Sequence, residues 1–261
     1  MIDVSSSLLA EGAGLRWAVI VAVFSLAGLV KGVVGMGLPT VAMGLLATVM
    51  APAEAATILI VPSFVTNIWQ LAAGPAFGAL LRRLWAMMLG ILVGTTAAAG
   101  LLSGGHAGLA QAGLGAALVL YASVGLSSVR FHVPAGHEPW LSPLIGVATG
   151  IVTGATSVFV VPAVPYLQAL GLDRKDLIQA LGLSFTVSTV ALAVGLAGHS
   201  RAGASSALLL GSVVALVPAL AGMFAGQVLR ERMSVEAFRR VFFAGLLLLG
   251  FYLAVEGVSH R

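Results

Sequence analysis

Two stretches decide the fold: Trp17–Met50, WAVIVAVFSLAGLVKGVVGMGLPTVAMGLLATVM, and Trp140–Gly171, WLSPLIGVATGIVTGATSVFVVPAVPYLQALG. Both are apolar, and each is about half as long again as the roughly 20 residues one helix needs to cross a hydrocarbon core. Each is also interrupted by residues that weaken a helix. The first holds Gly28, Gly32, Gly35, Gly37 and Pro39; the second holds Gly146, Gly150, Gly154 and Pro162, with Thr153, Thr156 and Ser157 between. Glycine costs a helix interior about 1 kcal/mol and proline about 3. Two broken or re-entrant helices are expected here, not two long rods.

The two stretches also resemble each other. Gly28 and Gly32 recur as Gly146 and Gly150 at an offset of 118, and Ala51–Thr57 aligns with Asp173–Gln179 at an offset of 122. An apolar helix with a polar stripe follows each: Ser63, Thr66, Asn67 and Gln70 in the first half, Ser184, Thr186, Ser188 and Thr189 in the second. Glu54 and Asp176 fall in the first turn of these helices, where a carboxylate suits the helix dipole. The chain reads as a duplication, with one repeat over 1–133 and the other over 134–261, together one transmembrane domain.

Composition places that duplication in a membrane. Of 261 residues 59% are hydrophobic and 8% are charged, against roughly 25% charged in soluble domains. So few charges cannot cover a soluble body of this size, which excludes soluble enzymes and nucleic-acid modules. Cysteine is absent, so no disulfide, thiolate metal site or cysteine nucleophile exists. The stretch from Met1 to Leu15 contains Asp3 and Glu11 and no Lys or Arg, unlike the basic start of a signal peptide. The first apolar stretch is therefore expected to remain in the mature protein.

Eight nearly charge-free segments run over 17–53, 55–81, 84–105, 107–129, 139–172, 177–200, 202–229 and 241–255. Arg82, Arg83, Arg130, Arg230 and Arg232 mark interfaces, and Trp17, Trp85 and Trp140 sit where an aromatic belt would hold them. Gly90–Gly94 and Gly222–Gly226 carry the small-xxx-small spacing common in membrane bundles. With intramembrane Lys31 set aside, letting every segment cross once divides the other basic residues six against six, which gives no orientation. Letting the first and fifth segments enter and return puts 82, 83, 130, 174, 175, 230, 232, 239 and 240 on one side and 16, 201 and 261 on the other. Nine against three orients the chain with both termini outside. Each half then crosses an odd number of times, so the halves are inverted repeats.

Inverted repeats with matching discontinuous helices point to a binding site near the midplane. Broken helices expose backbone N–H groups and a partial positive charge, which favour an anion. The substrate-binding candidates are Gly32, Gly35, Gly37, Thr153 and Gly154 through their backbone. Thr66, Asn67, Ser184 and Ser188 are candidates through their side chains. Lys31 joins them as a cation deep in an apolar segment, where charge marks function. The bland alternative is that the glycines pack helices, the hydroxyls bond their own i−4 carbonyls, and Lys31 snorkels to water. No Asp or Glu lies mid-segment, so neither a carboxylate relay nor a cation cage is expected. His106, His132, His137, His199 and His260 occupy turns or the tail without metal-ligand spacing. No cofactor and no catalytic residue is assigned.

The repeated motifs resemble the TauE/SafE family of sulfite exporters. The closer copy is Gly150-Ile-Val-Thr-Gly154 followed by Gly171-Leu-Asp-Arg-Lys175-Asp176-Leu-Ile-Gln-Ala-Leu-Gly-Leu-Ser184. Gly32-Val-Val-Gly35-Met-Gly37-Leu-Pro39 with Pro52-Ala-Glu54-Ala-Ala is looser, and has Pro62 where the second copy has Ser184. The resemblance implies a multi-pass permease of the bacterial-type inner membrane for sulfite, sulfonates or thiosulfate. The residues alone support a small anion, with a carboxylate or metal-ion transporter, or a non-transporting accessory subunit, as alternatives. Expected partners are the small anionic substrate and the lipid bilayer, not nucleic acid; a homo-oligomer is left open.

Overall fold

The computed structural model describes residues 4–103, 107–127, 132–199 and 206–259. Its elements are α1 (Val4–Val34), α2 (Leu38–Leu46), α3 (Pro52–Ala72), α4 (Phe77–Ala98), the short α5 (Gly100–Ser103), α6 (Ala107–Leu126), α7 (Glu138–Thr156), α8 (Ala163–Ala169), α9 (Arg174–His199), α10 (Ser206–Arg230) and α11 (Val235–Ser259). The protein is all-α, and seven described segments are long and apolar enough to cross a membrane. Of the eight expected apolar segments, the fifth is the exception: its α7 carries Glu138, two prolines and four hydroxyl residues. Large apolar side chains cover the outside, among them Val217, Val241 and Leu248. Such a surface suits lipid rather than water.

Each long segment breaks, but more narrowly than the glycine count suggests. α1 runs unbroken through Gly28 and Gly32 and stops at Val34; α7 runs through Gly146, Gly150 and Gly154 and stops at Thr156. Gly35 (φ 84°) and Gly37 (φ 100°) make the first break, a left-handed backbone that glycine adopts without a Cβ penalty. Pro39 then opens α2 from a first-turn position, where its missing N–H costs nothing. In the second half Ser157 takes the left-handed conformation (φ 58°) as the cap of α7, and the chain resumes as α8 after Pro162.

The glycines inside the helices serve packing. α1 lies along α10, and its counterpart α7 lies along α4. Gly28 and Gly32 meet the backbone of Ala219, Met223 and Gly226, while Gly222 and Gly226 meet Ser25 and Leu29 in return. Gly146 and Gly150 meet Met87, Ile91 and Gly94 in the same manner. Two small-xxx-small pairs thus interlock between the halves, letting the backbones approach where dispersion is strongest. The other major pairings obey the same exchange of halves: α3 with α9, α6 with α11, and α10 on α3 matched by α4 on α9.

Both broken segments return to the side they came from. Gly211 packs beside Trp17 of α1 and Ile58 of α3, and Gln70 near the end of α3 donates to the Gly35 carbonyl at the end of α1 (3.1 Å). Thus α1 and α3 run parallel, and α2 with its following loop carries the chain back. Likewise Arg83 pairs with Glu138 at the start of α7 (2.7 Å) and donates to the Leu170 carbonyl after α8 (3.4 Å). With both returns, the described residues place Arg82, Arg83, Arg174, Lys175, Arg230, Arg232, Arg239 and Arg240 at one face and Arg16 at the other. Arg130, Arg201 and Arg261 lie outside the described residues.

Candidate functional site

The polar stripes of α3 and α9 face each other in the middle of the protein. On α3 the buried positions are Ser63, Thr66, Asn67 and Gln70, whereas Phe64, Ile68 and Trp69 face outward. That is an inside-out helix, with its hydrogen-bonding groups turned away from lipid. Asn67 Nδ2 donates to Thr189 Oγ1 (3.2 Å), which itself donates to the Phe185 carbonyl (2.7 Å). Asn67 and Thr189 stand 122 residues apart, the offset that also aligns Ala51–Thr57 with Asp173–Gln179. Each sits 15 residues into its helix, counted from Pro52 and Arg174. The two helices run antiparallel, and each residue of the pair lies about 22 Å from the start of its own helix.

Lys31 is brought to the same point. It lies in the last turn of α1, just before the break, and is 4% exposed. Its Nζ donates to Thr66 Oγ1 (3.1 Å) and to Asn67 Oδ1. Thr66 Oγ1 in turn donates to the Pro62 carbonyl (2.7 Å). Among the described residues the ion pairs are Arg83–Glu138 and Arg240–Glu236, so no carboxylate offsets Lys31. A charge held at membrane depth by neutral acceptors is costly and marks a pathway or binding site.

Hydroxyls without partners accompany it. Ser63 on α3, Ser184 and Ser188 on α9, Thr149 on α7 and Ser157 at its end are buried with no hydrogen-bond partner for their oxygens. Buried polar groups are satisfied in more than nine cases of ten. Ser63 on α3 and Ser184 and Ser188 on α9 thus carry buried hydroxyls with capacity for a further hydrogen-bond partner. Ser184 and Ser188 stand one turn apart on one face of α9, as Ser63 and Asn67 do on α3.

Gly35 and Gly37 form the first break, and the Gly35 carbonyl is held by Gln70. Thr153 closes α7: its carbonyl accepts from Ser157 N (2.7 Å) and its hydroxyl donates to the Val158 carbonyl (3.3 Å). Gly32 and Gly154 lie in the last turns of α1 and α7 and sit against the backbones of α10 and α4. Gln70 and Gln179 stood outside the candidate set, yet both staple the halves together. Gln70 bridges Gly35 and the Ile178 carbonyl; Gln179 accepts from Ala76 N and donates to the carbonyls of Leu71 and Gly74. For Gln70 a signal was present, since it continues the 63, 66, 67 stripe by one turn. Gln179 stands alone among apolar neighbours and gave none.

Residues 20–253 match the family described as Sulfite exporter TauE/SafE. The chain belongs to the TauE/SafE family. No curated protein and no solved structure matches it. As a TauE/SafE protein it is a multi-pass membrane protein of a transporter family, not an enzyme family. The match takes in both breaks, Lys31 and the facing stripes of α3 and α9.

Proposed function

We propose that this TauE/SafE protein carries a small sulfur-containing anion of the sulfite, sulfonate or thiosulfate class across a bacterial-type inner membrane. The observation that carries this reading is Lys31: a buried basic side chain in the last turn of α1, beside a helix break and without a carboxylate partner. Two of its donors are taken by Thr66 and Asn67, and the unpartnered hydroxyls of Ser63, Ser184, Ser188 and Thr149 supply further donors on the facing helices. An oxoanion is acceptor-only and takes several donors at once, so this set suits it. A basic side chain whose partners are neutral oxygens, with no carboxylate beside it, suits an anion rather than a cationic metal.

Substrate binds between the halves, and one half rocks against the other along the glycine seams of α1 with α10 and α7 with α4. The eight basic residues at one described face against one at the other orient the chain with that face cytoplasmic, so both termini lie outside. The test is uptake into proteoliposomes across sulfite, methanesulfonate, thiosulfate and small carboxylates. Saturable flux of a sulfur oxoanion, lost in Lys31→Met with the fold retained, is expected. Flux of none of these anions in a correctly inserted protein overturns the proposal.

A further inference from the structure

We infer that Lys31 makes the carrier proton-coupled: the empty site holds Lys31 as a neutral amine, and each anion enters together with one proton that completes its ammonium. This rests on the anion-binding reading above and adds the coupling ion to it.

Counting donors at Nζ leads there. A neutral amine has two N–H donors and an ammonium three. Two protein acceptors, Thr66 Oγ1 and Asn67 Oδ1, receive bonds from Lys31. Both N–H donors of the neutral amine are therefore taken, whereas a third N–H of the ammonium finds no acceptor among the described residues. Both acceptors are fixed from behind: Thr66 by its own bond to Pro62, and Asn67 by its bond to Thr189 across the repeat axis. Neither can turn to supply more negative charge. An isolated ammonium at membrane depth is expensive, and an anion on the third N–H removes both deficits together.

The charges on surrounding elements do not compensate Lys31. α2 carries no titratable side chain. On α1 itself Arg16 lies 15 residues away, about 22 Å along the helix. Glu54 on α3 is exposed and 13 residues before Asn67; Asp176 on α9, beside Arg174 and Lys175, is likewise 13 before Thr189. On α10, Arg230 stands one turn past Gly226 and is positive. On α11, Glu236 is exposed and pairs with Arg240, Arg239 is exposed, and Glu256 accepts from Gln111. The buried Tyr121 of α6 donates to Met36 Sδ (3.2 Å). None of these groups bonds Lys31.

The step balances simply. On loading, a proton from water forms the third N–H bond at Nζ as the anion docks, so an amine plus a proton plus an anion becomes an ammonium–anion pair. On unloading, that bond breaks, the proton returns to water on the other side, and the amine falls back on Thr66 and Asn67. A monovalent anion then crosses without net charge movement.

The test uses methanesulfonate and thiosulfate, which take up no proton themselves near neutral pH. Binding to purified wild-type protein should weaken about tenfold per pH unit on the alkaline side, as linkage of one proton to one anion requires. Liposomes loaded with a pH dye should acidify during methanesulfonate uptake, one proton per anion. Lys31→Arg, whose guanidinium keeps its proton, should bind with no pH dependence. Lys31→Met tests whether the proton needs this amine. Wild-type binding that is flat with pH, or uptake without acidification, overturns proton coupling and leaves the substrate reading intact. Acidification in Lys31→Met at the wild-type ratio assigns the proton elsewhere and overturns the role of Lys31. Absence of binding and flux for both anions and for sulfite would instead fail the substrate reading.

Discussion

Replacing Asn67 with Asp places a built-in anion where the transported one is proposed to act. The two side chains are nearly isosteric, and Oδ1 already accepts from Lys31 Nζ. At the second position the amide donates to Thr189 Oγ1; an Asp oxygen would accept there, and the Thr189 hydroxyl can swing from the Phe185 carbonyl to donate instead. The substitution therefore keeps the shape and hydrogen bonds of the axis while giving Lys31 a fixed counter-ion. A hydrogen bond to a charged group contributes about 1.5–3 kcal/mol. Satisfying Lys31 internally should remove that much from anion binding, a loss of about ten- to 150-fold in affinity, with like-charge repulsion adding to it. The assay is equilibrium binding of labelled sulfonate to purified protein, beside a thermal melt in the same detergent. The expected result is a melting temperature at or above wild type with binding lost. Asn67→Asp binding the anion as tightly as wild type would refute the placement of substrate at Lys31.

Gly28→Ala would set a Cβ 2.1 Å from the Ala219 carbonyl oxygen, so α1 and α10 must separate. It should cost about 1–3 kcal/mol, read as a lower melting temperature, while Gly245→Ala, which meets open space inside α11, should raise stability by up to about 1 kcal/mol. Equal melting of the two variants would mean that the seam is not close-packed. Gln179→Ala strips the Leu71 and Gly74 carbonyls and Ala76 N of their partner. At about 1–3 kcal/mol for an unsatisfied buried group, it should lower the melting temperature clearly; no change would show that water replaces the amide freely. Because the chain has no native cysteine, single cysteines can report sidedness. Ser259→Cys should react with an impermeant maleimide in intact cells and Ser234→Cys should not, and the reverse pattern would invert the proposed orientation.

Much of the architecture was legible in the chain because lipid imposes simple rules. Scarce charge and long apolar runs required membrane helices, and the basic residues divided nine to three with both broken segments returning, or ten to two with only the fifth returning. The helix contacts bear out that return, with Glu138 and Leu170 meeting at Arg83. The polar stripes were equally legible, since hydroxyls and amides every third or fourth residue of an apolar helix must turn inward. Glycine was the ambiguous letter. Gly28, Gly32, Gly35 and Gly37 look alike in sequence, yet the first two lie in continuous helix and the last two form the break.

By itself, then, the sequence determined the all-helical membrane class and the inward polar faces, because each follows from local composition and periodicity. Tertiary structure alone decided which glycines pack and which turn. One missing Cβ serves both close approach and positive φ, and only a neighbouring backbone, that of α10 some 190 residues away for Gly28 and Gly32, tells them apart. It also decided the partners of Lys31. Burial was implied by position, but the pairing with Asn67 and, through it, Thr189 depends on α1, α3 and α9 meeting at one depth, which helical periodicity within a single segment does not encode.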